Sequence, residues 1–190
     1  MNVRYQDLTP REFRRRIADA PIAYLPLGTL EWHGEHLPLG SDGMISSGFF
    51  EPLARDVGGI VLPMLFLGPD RRVVQGDLEW FGMDSCRPDS KHPYPSQPLP
   101  GSAYWIDNDL FVAILRAILK QLARAGFKII VAHGHGPSTM LWQQYRPQWQ
   151  KEFSVTLLDC WADGLQPALG IQTDHAATNE TSLMMRCIPI

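Results

Sequence analysis

The sequence predicts an α/β fold, a mainly parallel sheet covered by helices on both faces in three layers. Three observations predict it. Segments with helical apolar spacing alternate with short apolar runs rich in Ile, Val and Leu. Those runs lack the in/out alternation of a half-exposed sheet, as expected for strands buried on both sides. Histidines and acidic residues gather where the runs end, the usual place for functional groups in such folds.

The elements follow in order. Thr9-Pro10-Arg11-Glu12 has the residues of a capping box with proline at the first helical position, so a helix begins there and stops by Pro21. Ile22–Leu27 is short, apolar and closed by Gly28, and reads as a buried strand with an irregular far end at Pro26. From Asp42 to Val57, Met44, Ile45, Phe49, Phe50, Leu53 and Ala54 recur at helical spacing before Gly58-Gly59. Ile60–Met64 is the second strand. Asp107 caps a helix whose Leu110, Phe111, Ile114, Leu115, Ile118, Leu119 and Leu122 form one apolar face, with Gly126 as its stop. A strand at Phe127–Ala132, a helix from Ser138 to Gln150, a strand at Val155–Leu158 and a short helix from Asn179 to Arg186 complete the alternation.

The 190 residues are read as a single domain, with a proline-rich insertion or lid at about 67–106 and a short C-terminus. Seventeen basic against 20 acidic residues give a net charge of −3, so no positive field exists to hold nucleic acid or an anionic membrane. No apolar run approaches the ~20 residues that span a bilayer, and the first residues lack the apolar core of a signal peptide. Three cysteines without CxxC spacing predict reduced thiols and a cytoplasmic location. The six tryptophans are expected to pack rather than bind, with Trp161 the exception because it follows a strand end.

Five of the six histidines fall in three clusters. The first, Gly28-Thr-Leu-Glu31-Trp-His33-Gly-Glu35-His36-Leu-Pro-Leu-Gly-Ser-Asp42, offers carboxylates and imidazoles within a dozen or so residues. In extended chain Glu31 and His33 point the same way and Trp32 the other. Asp42 opens a helix, where it serves either as a cap or as a carboxylate aimed at a metal. The second cluster is His133-Gly-His135-Gly136 and the third Asp174-His175-Ala-Ala-Thr-Asn-Glu180. Mixed carboxylate and imidazole donors without thiolate suit Zn²⁺, Mn²⁺ or Fe²⁺.

Leu27-Gly-Thr-Leu-Glu-Trp-His-Gly-Glu-His-Leu-Pro-Leu-Gly-Ser-Asp42 resembles the signature of the creatininase, or creatinine amidohydrolase, family. It is joined in order by Gly126–Gly136, similar to a segment ending Asn-Gly-His-Gly-Gly-Asn in that family. His175-Ala-Ala-Thr-Asn-Glu-Thr-Ser182 is similar to its His-Ala-Gly-x-x-Glu-Thr-Ser. The resemblance implies a two-metal hydrolase of cyclic amides, formamides or other non-peptide C–N bonds, with a small-molecule amide substrate and assembly as a homo-oligomer such as a hexamer. Position by position, it implies one metal on Glu31, Asp42 and His135 and a second on His33 and Asp42, with Glu180 as the remaining carboxylate. Water activated between the cations would be the nucleophile. His175 is the expected proton donor, Glu180 the alternative shuttle, and Glu35 and His36 are supporting residues. His92 resembles a single histidine of the family's middle region.

The chain departs from the pattern at Pro137, where creatininase has a metal-binding Glu, at His133 and Ser138 in place of Asn, and at Ala177 in place of Gly. Two other readings stay open: a non-catalytic metal-binding relative, and a nucleotide-binding module built on the Gly134-His-Gly136 turn with Asp159 after the next strand.

Overall fold

The computed structural model describes residues 2–86, 97–160 and 174–187. In chain order, helix α1 (Pro10–Asp19) leads to strand β1 (Ile22–Leu27), helix α2 (Ser41–Asp56) and strand β2 (Ile60–Val61). Four short strands follow, β3 (Arg72–Gln75), β4 (Leu78–Phe81), β5 (Ser85–Cys86) and β6 (Gln97–Pro98). Helix α3 (Asn108–Ala125), strand β7 (Ile129–Gly134), helix α4 (Gly136–Phe153), strand β8 (Thr156–Asp159) and helix α5 (Thr178–Cys187) complete the order. The main sheet runs β2-β1-β7-β8, every pair parallel.

Local chemistry explains the helix ends. Thr9 Oγ1 accepts from the Glu12 backbone N–H while Glu12 reaches back to Thr9, closing the capping box. Asp107 accepts from the Leu110 N–H at 2.8 Å, and Gly126, left-handed at φ 103°, ends α3.

Side-chain alternation along β1 divides the molecule into layers. Ala23, Leu25 and Leu27 face one side with Ile130, Ala132 and Leu157, and there meet Phe111, Leu115 and Leu119 of α3 and Trp142 and Trp149 of α4. Phe13 and Ile17 of α1 join this core. On the other side Tyr24, Val61 and Val3 pack with Phe50 and Ala54 of α2, and α5 lies on α2. This is the three-layer arrangement expected.

Several boundaries differ from the sequence reading. The second strand is only Ile60–Val61, because Pro63 interrupts it before Leu65 returns to bond β1. Pro26 does not disturb β1: it pairs in register with His133, and its missing N–H falls on the β2 side, where the ladder skips from Leu62 to Leu65. β7 begins and ends two residues later than expected, which puts His133 inside the strand. α4 starts at Gly136, with Pro137 in its first turn, where a missing N–H costs nothing. The stretch at 67–106 contains two antiparallel pairs, β3 with β4 and β5 with β6, instead of unpatterned chain. Among the described residues no helix is long and apolar enough to cross a membrane. Cys160 and Cys187 are free thiols.

Gly134 is the tightest point. It pairs with Leu27 at φ 150°, and a Cβ there would lie 1.4 Å from the Leu27 carbonyl oxygen. Gly134→Ala is therefore expected to cost at least ~3 kcal/mol, through strain and overpacking together. Urea unfolding followed by far-UV circular dichroism checks this; a variant as stable as the parent would show that the β1–β7 junction can open.

Candidate metal centre

The adjacent strands β1 and β7 both end at one spot, and the chain leaving each delivers acid and imidazole groups to it. The loop after β1 runs through Thr29, Glu31 and His33 to α2, with Glu31 N–H bonded to the Leu39 carbonyl at 2.9 Å. Asp42 stands in the first turn of α2, one residue inside the Ser41 start, and Gly40 occupies the cap position. Its backbone carbonyl accepts from Ser46 Oγ at 2.7 Å. Its side chain turns toward the histidines, at the helix end whose dipole favours a carboxylate.

Glu31, His33, Asp42, His135 and Glu180 are all buried, none more than 4% exposed. His135 Nδ1 lies 3.2 Å from Asp42 Oδ2 and 3.3 Å from Glu31 Oε1. His33 Nε2 lies 3.6 Å from the same Asp42 oxygen, 3.4 Å from Glu180 Oε1 and 3.9 Å from Glu31 Oε1. Two triads result, Glu31–Asp42–His135 and His33–Asp42–Glu180, each with donor atoms within 4.8 Å of one another. A third, Glu31–His33–His175, overlaps them on the more open side.

These separations fit metal coordination. Two donors held at about 2.1 Å from a tetrahedral cation stand roughly 3.4 Å apart. His33 Nε2 is buried among these carboxylates without a hydrogen-bond partner, an arrangement a cation would satisfy. Three buried carboxylates converging on one point also need more positive charge than neutral imidazoles supply.

The outer atoms of several of these residues are held by their surroundings. His33 Nδ1 lies 3.1 Å from the Glu31 carbonyl. Glu180 Oε2 accepts from the Ala176 N–H, and Ala176 adopts a left-handed φ of 52° in the turn that leads into α5. Asp174 fixes that turn, accepting from the Asn179 and Glu180 N–H groups at 2.8 and 2.9 Å.

Charge and burial oppose each other throughout. Burial raises Glu31, only partly countered by His135. Burial also works against Asp42 ionisation, but the His135 hydrogen bond and the charge of His135 and His33 hold it well below the usual carboxylate range. Burial would neutralise His33, yet Asp42 and Glu180 raise it to about 10; His135 is likewise raised well above the ordinary value by Asp42, Asp70 and Glu31.

The other predicted residues are placed as follows. His175 is 40% exposed at the side chain; its ring is 4.6 Å from that of His33, and its Nδ1 is 4.0 Å from Glu31 Oε1. His36 is exposed, with Nε2 3.0 Å from Thr181 Oγ1 on α5. Glu35 is exposed. His133 belongs to β7 but stands apart from the triads, against Phe49 and Phe50. Ser46 Oγ spends its proton on the Asp42 carbonyl, so its oxygen accepts from His133 Nδ1–H at 2.9 Å. Pro137 points no donor at the site. His92 and Trp161 lie outside the described residues. Trp32 donates to the Leu99 carbonyl at 2.8 Å, tying the first cluster to the far end of the insertion.

Asp70 escaped the sequence reading. It follows Gly68-Pro69 at the start of the insertion, and its Oδ2 lies 3.3 Å from His135 Nε2. Burial raises its carboxyl, but contact with His135 and the Arg71 N–H hold it below the ordinary value. The only sequence hint was an acid after a Gly-Pro corner. The nucleotide-binding reading meets an obstacle here: the Gly134–Gly136 turn faces Glu31 and Asp42, which would repel a phosphate.

Fold and site together define a parallel α/β domain with a buried acid–imidazole centre suited to divalent cations. A sequence model of the family described as creatininase, creatinine amidohydrolase, matches residues 6–189, and the chain belongs to that family. It is 24% identical over 203 residues to the creatinine amidohydrolase of Pseudomonas putida, covering 96% of this chain and 71% of the relative. A 3-dehydro-scyllo-inosose hydrolase of Thermotoga maritima is 24% identical over 135 residues, 70% of this chain and 36% of that protein. A solved creatininase variant complexed with creatine superposes with a TM-score of 0.71 at 24% identity, covering 97% of this chain and 72% of its own. Further solved creatininases of this fold include a manganese form and a zinc–zinc form, at TM-scores of 0.66 and 0.70.

The buried neutral His133 gives a pH prediction. Burial lowers its pKa from 6.5 to about 4. The unfolded chain therefore binds the extra proton first, and His133 contributes stability above pH 6.5 that is lost as pH falls toward 4. Replacing His133 with Asn, the residue in the family's segment, is expected to flatten stability between pH 7 and pH 4.5 relative to the parent. Urea unfolding at both pH values checks it; parallel losses in the two proteins would place the acid sensitivity elsewhere.

Proposed function

We propose that the chain is a metal-dependent amidohydrolase acting on a non-peptide C–N bond of a small molecule, of the cyclic amide or formamide type. The observation that carries this reading is one atom: Asp42 Oδ2 faces both His33 and His135 and so belongs to two acid–imidazole triads at once. Glu31, Asp42 and His135 would hold one divalent cation, and His33, Asp42 and Glu180 the other, with Asp42 between them. Zinc and manganese are the cations the donor set favours, and related creatininases have been solved in both forms.

When bound, such a pair supplies a nucleophilic oxygen at neutral pH and polarises the carbonyl to be attacked. The protein's own groups do the rest. His33 and His135 present one ring nitrogen each to the centre, and the second nitrogen of His33 faces the Glu31 carbonyl. Glu180 directs Oε1 inward while Oε2 is occupied by the Ala176 N–H, which favours the ligand role over proton shuttling. His175 is the exposed imidazole beside the triads. Its Nε2 faces the Trp32 carbonyl at 3.3 Å, and release of that contact would let the ring turn to protonate a leaving nitrogen.

Pro137 removes the carboxylate that the creatininase pattern places two residues after His135, while Glu180, which matches the pattern's later carboxylate, faces His33. The changed donor set accords with an amide substrate other than creatinine.

Two variants test the reading against a panel of cyclic amides, formamides and short peptide amides with added Zn²⁺ or Mn²⁺. Asp42→Ala should abolish turnover and reduce bound metal from two ions per chain to less than one, measured by elemental analysis. His175→Asn should leave both ions bound and lower kcat by about 10²-fold or more. Turnover that survives Asp42→Ala would overturn the two-cation reading. Two bound ions with no turnover of any amide would instead mark a metal-binding scaffold.

A further inference from the structure

We propose that Asp70 is the positioning residue for His135, holding the outer nitrogen of the imidazole whose inner nitrogen faces Glu31 and Asp42. The inference rests on the two-cation reading and assigns a role to a residue outside both triads.

A metal-facing imidazole must keep one nitrogen bare for the cation, and a partner on the other nitrogen fixes that tautomer and the ring's orientation. His33 has such a partner in the Glu31 carbonyl, 3.1 Å from its Nδ1, with Nε2 directed inward. His135 is turned the other way, with Nδ1 inward. Its Nε2 is buried and makes no aligned hydrogen bond, yet the Asp70 carboxylate stands 3.3 Å from it. A small swing of the ring as Nδ1 takes a cation would direct the Nε2–H onto Asp70 Oδ2. The two histidines then have matching support, from a carbonyl in one case and a carboxylate in the other.

The carboxylate has a built seat. Asp70 Oδ1 accepts from the Arg71 N–H at 2.6 Å, leaving Oδ2 for His135. The Asp70 carbonyl accepts from Trp105 Nε1 at 2.9 Å, and Trp105 packs on Phe81. Arg71 and Gly82 bond each other's backbone, Gly82 N to Arg71 O at 2.8 Å and Arg71 Nε to Gly82 O at 3.0 Å. Gly82 is left-handed at φ 53°, and a Cβ there would lie 2.7 Å from Asp70 Oδ2. The β3–β4 hairpin thus ends in a residue whose lack of a side chain leaves room for the Asp70 carboxylate. The insertion at 67–106 contributes to the site through this contact.

The test measures zinc affinity of the full chain by chelator competition, with Co²⁺ absorption as a reporter of each site's geometry. Asp70→Ala should weaken one of the two sites by 10- to 100-fold and leave the other within about twofold. Asp70→Asn, whose amide oxygen can accept the same hydrogen bond, should recover most of that loss, which a purely structural role would not predict. Far-UV circular dichroism establishes that each variant is folded, and Asp70→Asn keeps the comparison decisive if Asp70→Ala is not. Wild-type affinity at both sites in Asp70→Ala, or equal loss at both sites in the two variants, overturns the assignment while leaving the two-cation reading intact. A parent protein that binds no Asp42-dependent zinc overturns both.

Discussion

Three carboxylates buried at one point set the terms for everything around them. Glu31, Asp42 and Glu180 repel one another in a medium that screens poorly, and each has lost most of its water. The carboxylates raise the pKa values of His33 and His135 even though burial opposes it. A divalent cation would answer the same carboxylates with more charge than a protonated imidazole carries. A cation bound at these residues would have to displace any proton from the ligating nitrogens, so its affinity would fall as pH falls.

The topology explains why such a cluster can form here. Chain order and sheet order diverge around β1: the chain first steps to β2 on one side, then returns through α3 to β7 on the other. The loops leaving β1 and β7 part at that reversal, beyond the carboxyl ends of the strands, where such folds place their functional groups. Glu31 and His33 leave β1 on one wall, and His135 leaves β7 on the other. The N-terminus of α2 carries Asp42 between them. The close Leu27–Gly134 pairing holds the two walls together at their base.

Features decided by neighbouring residues were legible in the sequence. The Thr9–Glu12 box, the Asp107 cap and the Gly126 stop depend on three or four adjacent positions, and they lie where the pattern placed them. Strand ends were less legible because a strand stops where its partner stops. β7 runs to Gly134 because Leu27 is there to pair with it, a fact no window around His133 contains. The hairpin at 72–81 was missed because Val74, Leu78 and their neighbours are exposed on both faces and leave no periodicity. In the site, clustered histidines and acids drew attention to Glu31, His33, Asp42 and His135. Asp70 stands alone in its segment, and only the fold around the β3–β4 hairpin brings it to His135.

Pro137 leaves the turn after His135 without a carboxylate. A glutamate at that position would reach the centre from the turn that carries His135, so both groups would be placed by the end of β7. Proline suits the first turn of α4 and offers no ligating atom. The carboxylate facing His33 comes from α5, and α5 reaches the site by lying on α2, with Thr181 against His36 and Met184 buried below. Asp174 and the left-handed Ala176 set the angle at which that helix starts. One half of the centre thus rests on the rigid sheet and the other on a docked terminal helix. In this arrangement the His33 side of the centre is complete only while α5 stays seated, which joins folding of the chain's last segment to assembly of the site.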